Sequence, residues 1–127
     1  MIVVDASAAL LGLVDDGAAR RLLASESLAT SCLADAEVAN GLRSLGARGR
    51  VDDASAVRAL DTWARLGIER WPIAPGLPRI WELRANLTAY DAAYVALAEA
   101  LQCPVVTADS RLASAPGPVC EFTVVRS

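Results

Sequence analysis

Four carboxylates carry the chemistry that this sequence offers: Asp5, Glu37, Asp91 and Asp109. Asp5 ends the apolar run Ile2-Val3-Val4, and Asp109 lies just past Pro104-Val105-Val106. Asp91 stands near the start of an Ala-rich, almost uncharged stretch. Glu37 shares a polar stripe with Asn40, Gly41 and Ser44, beside an apolar face of Val38, Leu42 and Leu45 at helical spacing. An acid at the carboxyl end of a buried strand points into the crevice where open α/β sheets bind ligands. Four carboxylates in one crevice repel one another unless a cation joins them. Oxygen ligands without His or Cys suit hard ions such as Mg²⁺ or Mn²⁺. Two such ions roughly 4 Å apart activate a water and stabilise the leaving oxygen in phosphodiester cleavage. Each acid also has a plain structural reading: a helix cap for Asp5, a surface helix acid for Glu37, a first-turn acid for Asp91 and a turn cap for Asp109.

The rest of the composition narrows the choice. The chain has no histidine, which excludes His-based triads, His general bases and His-ligated zinc. Its 12 basic residues are all arginine, so every phosphate contact it can make is a forked guanidinium. Arg43, Arg48, Arg50 and Arg84 are available for that purpose. A net charge of −3 argues against a protein that coats nucleic acid by bulk charge. Without the four acids the formal charge moves from −3 to +1, so the negative charge is concentrated at the site. Cys32, Cys103 and Cys120 are odd in number and lack CxxC spacing, which reads as reduced, buried thiols in a cytoplasmic protein. MIVVDAS does not read as a signal peptide, and no apolar run is long enough to span a membrane.

At 127 residues and 54% apolar, the chain reads as one domain with a core of Ala, Val and Leu. Strands are expected at Ile2–Val4, around Leu28-Ala29-Thr30, at Ile68–Ile73, at Val105–Thr107 and, on an edge, at Glu121–Val125. Ser7 is expected to cap the first helix and Asp35 the third, which runs from Leu33 to Leu45, with help in holding the site beside Glu37 as the other role for Asp35. Asp52 or Asp53 caps a fourth helix, with Val57, Leu60 and Ala64 facing inward and Trp63 beside them, and Gly67 stops it. Short and long helices follow at Leu77–Ala85 and Ala89–Leu101, and a helical turn follows Asp109. Small side chains at Ala92, Ala93 and Ala96 are expected to let the long helix lie close to the sheet. Strands alternating with helices imply a mostly parallel sheet flanked by helices. Its strand ends would bring Asp5, Asp91 and Asp109 together, with Glu37 reaching them from a helix.

Three motifs, MIVVDASAAL, LADAEVANGLR and NLTAYDAAYVALAEALQCPVVTADSRL, resemble in order those of the PIN-domain ribonucleases, and within them the VapC toxins. They cover most of the chain. The resemblance implies one PIN domain over residues 1–127, a PIN-like three-layer α/β/α fold with a central, mostly parallel sheet. It implies that Asp5, Glu37, Asp91 and Asp109 bind Mg²⁺ or Mn²⁺ and cut RNA. Ser7 and Thr107 match hydroxyl positions beside that site, and Arg111 falls where the family often has a basic residue, either a substrate-phosphate contact or a solvated arginine. Arg43 and Arg84 are further candidates for RNA phosphate. The substrates implied are structured RNAs, often tRNA or rRNA loops. The partners implied are a second copy of the chain and a cognate VapB-like antitoxin, whose segment would lie in a groove made by the first helices (Leu10, Leu11, Leu13, Leu22) and the third. A housekeeping RNA-processing nuclease without an antitoxin is the alternative. The 114–118 loop, SAPGP, is short for the family and leaves little extra surface for substrate selection.

Overall fold

The computed structural model describes all 127 residues. Five strands form one sheet in the order β3-β2-β1-β4-β5. They are β1 Ile2–Val4, β2 Leu28–Ser31, β3 Ile68–Trp71, β4 Val105–Thr107 and β5 Phe122–Val124. Every pairing is parallel, where the sequence predicted a mostly parallel sheet. β1, β2 and β4 are buried along their whole length, which is why their apolar runs show no alternation. The helices are α1 Ala6–Val14, α2 Ala18–Ser25, α3 Ala34–Ala47, α4 Asp53–Arg65, α5 Leu77–Glu82, α6 Ala89–Leu101 and α7 Ser110–Ser114. α1 to α4 pack on one another, and α5 packs on α6. Right-handed crossovers put the first four on one face of the sheet and the last three on the other, giving three layers.

The strand order places the site. From β1 the chain winds outward through β2 to β3, then crosses back past β1 to β4 and on to β5. The direction of winding reverses between β1 and β4, and open α/β sheets bind ligands beyond the carboxyl ends of strands at such a reversal. Two glycines let the helical layer close up beside it. A methyl group on Gly12 would meet the Leu23 side chain at 2.5 Å, and one on Gly41 would meet Leu10 at 2.7 Å. α6 ends in a left-handed turn at Gln102, with the Gln102 and Cys103 amides bonding back to the Glu99 and Ala98 carbonyls.

Several local expectations give way. Asp5, not Ser7, caps α1, accepting from the Ala8 amide. Asp35 lies inside α3 rather than capping it; the cap position is Leu33. Asp52 caps α4 through the Ser55 amide. On α4 the buried residues are Ala59 and Trp63, while Val57 and Leu60 face solvent and Ala64 is exposed. The stripe of larger aliphatics is therefore not the packed one: the buried contacts of α4 come from Ala59 and the Trp63 indole. β3 stops at Trp71 and α5 at Glu82. Ala92, Ala93 and Ala96 pack with Ile80, Leu83 and Leu112 of the α5–α7 layer, whereas Tyr94 and Ala98 join the core that contains the strands.

None of the three cysteines is fully buried. Burial nevertheless pushes the Cys120 thiol up to about 11, so it stays protonated. A cavity of about 780 Å³ lies between α1, α2 and α4, walled by Leu13, Leu23 and Leu66 among others. Of the four leucines expected to line a groove only Leu13 does so, and α4 takes the place of α3. A second cavity of about 390 Å³ separates α3 from α4.

Candidate active site

Asp5 follows β1, and the register Val4↔Val106 sets it beside Thr107 at the end of β4. Its carboxylate is 4% exposed and is held from three sides. Oδ1 accepts from the Ser7 hydroxyl at 2.7 Å and the Ala8 amide at 2.9 Å, and Oδ2 accepts from the Thr107 hydroxyl at 2.5 Å. The two hydroxyls are themselves fixed. Ser7 Oγ accepts from the Ala108 amide at 2.9 Å and Thr107 Oγ1 from the Asp109 amide at 3.0 Å. Each hydroxyl has a single proton and gives it to Asp5, so both act as oriented donors that ease the burial of a charge. They also stitch the start of α1 to the β4–α7 turn.

Asp109 caps α7 through the Arg111 amide at 2.9 Å. Asp91 lies in the first turn of α6, whose cap is Thr88, accepting from the Asp91 amide at 3.2 Å. Glu37 lies in the first turn of α3 and accepts from the Tyr94 hydroxyl at 2.8 Å. That bond joins α3 to α6, helices from opposite layers, across the strand ends.

The electrostatics tie the acids together. Burial raises the Asp5 carboxyl above its usual range against its three donors, and the charge of Asp91 adds to the rise. Burial raises Glu37, with Asp91 and Asp5 contributing after the opposing Tyr94 bond. Burial and the charge of Asp109 raise Asp91, while Arg111 and the Thr88 hydroxyl lower it. Burial and Glu37 push the Tyr94 phenol far up, so it remains a donor. Asp5, Glu37 and Asp91 are thus each raised in part by the charge of another of these acids. No three of them close on a single point as a finished cage. The donor set of carboxylate oxygens and hydroxyls, without imidazole or thiolate, fits a hard divalent cation, which would relieve the repulsion that raises these groups.

The arginines are dispersed. Arg111 is almost fully exposed beside the crevice, 3.6 Å from Asp109. Arg84 stacks on Trp81 with its guanidinium 4.5 Å from the ring centroid. Arg43 lines the cavity between α3 and α4, away from the acids. Arg50 lines the cavity between α1, α2 and α4, and Arg48 ends α3.

The partners of two side chains at the site escape a reading of the sequence. Tyr94 sits one helical turn after Asp91, a spacing that was available as a signal, but a tyrosine in an Ala-rich helix reads as core. Asp35 accepts from Trp63 Nε1 at 2.7 Å and from Arg70 Nε at 3.0 Å, which clamps the start of α3 to α4 and β3 two residues before Glu37. Its partners lie 28 and 35 residues away, beyond any local pattern.

Comparison with known proteins agrees with this architecture. Residues 2–118 match the family model described as "PIN domain". The chain is 56% identical over 125 residues to ribonuclease VapC9 of Mycobacterium tuberculosis, covering 98% of both chains. It is 44% identical over 129 residues to ribonuclease VapC1 of the same species, covering 98% of this chain and 97% of the relative. Among solved structures, it is similar to PAE2754 from Pyrobaculum aerophilum, with TM-score 0.67 and 31% identity over 89% of this chain and 77% of that one. It shares its fold with VapBC2 from Rickettsia felis, solved bound to a promoter DNA fragment, at TM-score 0.68 and 16% identity over 96% of this chain and 98% of that one. With the family model spanning nearly the whole length and VapC ribonucleases matching end to end, the chain belongs to the PIN-domain family, among the VapC ribonucleases.

Proposed function

We propose that this chain is a metal-dependent endoribonuclease, the toxin of a toxin–antitoxin pair, with Asp5, Glu37, Asp91 and Asp109 as its metal-binding acids. The observation that carries the reading is the set of carboxylates coupled to one another at the β1/β4 switch point, three of them raised by burial and mutual repulsion. Mg²⁺ or Mn²⁺ held there would activate a water and stabilise the leaving oxygen of an RNA phosphodiester. Asp5 is the anchor, because its hydroxyl and amide donors fix both of its oxygens. Glu37 is held by Tyr94. Ser7 and Thr107 orient Asp5, and Arg111 is the arginine best placed to meet substrate phosphate. The substrate is a structured RNA, tRNA or rRNA, in the cytoplasm.

A VapB-like antitoxin is the partner in this reading, and its apolar segment fits the cavity between α1, α2 and α4. A homodimer completes the proposal, and the mass of the particle in solution tests it. The decisive experiment compares wild type with Asp5→Asn and Asp91→Asn. RNA cleavage that needs Mg²⁺ or Mn²⁺, and falls at least a hundredfold in either variant, is expected. Full activity in either one overturns the reading.

A further inference from the structure

Trp81 stands apart from the other indoles. Trp63 is buried and gives its N–H to Asp35, and Trp71 gives its N–H to Glu69. Trp81 is 66% exposed even though the Arg84 guanidinium covers part of it at 4.5 Å from the ring centroid. Arg84 is in turn fixed, donating from Nη1 to the Trp81 carbonyl at 2.8 Å. The result is a rigid cation–aromatic stack whose open side faces solvent.

Its place in the fold relates it to the acids. α5 runs antiparallel to α6: Arg79 pairs with Glu99 near the far end of α6, and Ile80 packs in the cluster of Ala93 and Ala96 one to two turns nearer its start. The chain leaves α5 after Glu82 and turns through residues 83–86 toward the Thr88 cap of α6, so Arg84 lies in the connection that leads to the helix end where Asp91 sits. The stretch from Leu83 to Tyr90 contains one charge, that of Arg84, and no acid. Tyr90, next to Asp91, is itself 59% exposed. An aromatic face backed by a cation, on the approach to an acidic cleavage crevice, matches the chemistry of an unstacked nucleobase with its phosphate.

We propose that Trp81, braced by Arg84, is a stacking platform for an unpaired nucleotide of the substrate RNA; this rests on the ribonuclease reading of the acid site. A paired base has both faces occupied within its helix, so the platform selects RNA with a loop or bulge near the cut. It supplies substrate discrimination where the short 114–118 loop offers little surface.

The test uses the full chain in an Asp91→Asn background, which keeps the RNA intact. Binding of a labelled synthetic RNA stem–loop is compared with that of the same RNA annealed to its complement as a blunt duplex. Trp81→Leu should weaken stem–loop binding roughly tenfold to a hundredfold, Trp81→Phe should retain most of it, and duplex binding should change little in either. Quenching of tryptophan fluorescence by the stem–loop should disappear with Trp81→Leu. Equal stem–loop binding by Trp81→Leu overturns the platform while leaving RNA binding and the acid site standing. A parent protein that binds neither RNA overturns the platform and the ribonuclease reading together. If Trp81→Leu changes the mass of the particle in sedimentation, the indole is a contact between copies of the chain and the proposal fails.

Discussion

The proposed metal-binding acids depend on the groups that hold them. Asp5 depends on two hydroxyls and an amide, and Glu37 on the phenol of Tyr94. Removing the Tyr94 hydroxyl leaves one oxygen of Glu37 without its donor and frees the side chain to swing. Tyr94→Phe is therefore expected to weaken Mn²⁺ binding about tenfold while costing the fold only about 1 kcal/mol. Calorimetric titration with Mn²⁺ beside a thermal melt separates the two effects, and unchanged affinity would contradict the role given to Tyr94. Asp5 and Asp109 stand out by their places after apolar runs, Asp91 by the Ala-rich stretch it opens and Glu37 by its polar stripe. Ser7 and Thr107 were legible only through the family resemblance, and Tyr94 was not, because it becomes a donor to Glu37 only when α3 and α6 meet.

Among the elements, α4 shows where pattern reading fails. Val57 and Leu60 form the more hydrophobic stripe, yet Ala59 and Trp63 make the contact, since close packing rewards small residues that hydropathy ranks low. Strand positions were easier to read, because a run such as Val105–Thr107 with no polar alternation has few places to go except the middle of a parallel sheet. α6 combines both lessons. Ala92, Ala93 and Ala96 pack with Ile80, Leu83 and Leu112 while Ala98 joins the strand core, and a side chain on Gly76 would already meet the Ala96 methyl at 3.3 Å. Ala96→Leu should destabilise the protein by about 1–3 kcal/mol through overpacking against the α5 side. It should also shift α6 enough to reduce Mg²⁺ affinity. Urea unfolding with and without Mg²⁺ checks both, and an Ala96→Leu protein as stable as wild type would show that this interface has slack.

For the whole molecule, the charge state of the site enters global stability. Asp5, Glu37 and Asp91 are raised in the folded protein above the ordinary 3.8 or 4.5 of their kinds. Between those ordinary values and the raised ones, the native state holds more protons than the unfolded chain. Stability from these groups is thus fully present below the ordinary values and is lost as pH rises through the raised ones. Glu99, lowered by Arg79 and the Val119 amide against its own burial, slopes the opposite way. The comparison that isolates the site is Asp91→Asn against wild type in metal-free buffer. The variant should gain stability over wild type as pH rises from about 4 toward neutrality. Mg²⁺ should raise the melting temperature of the wild type more than that of the variant, and erase that gain. A difference that is flat with pH, or untouched by Mg²⁺, contradicts the coupling. The overall topology followed from the alternation of strands and helices, whereas the depth of burial at Asp5 needed the assembled sheet.

The cap of α1 gives this coupling a local address. One oxygen of Asp5 serves both the crevice and the Ala8 amide that starts the helix. Neutralising that carboxylate is expected to weaken the cap on the first turn of α1. The far end of the helix, at Gly12 and Leu13, is a wall of the cavity between α1, α2 and α4. The acid cluster and that cavity thus lie at the two ends of the same nine-residue helix.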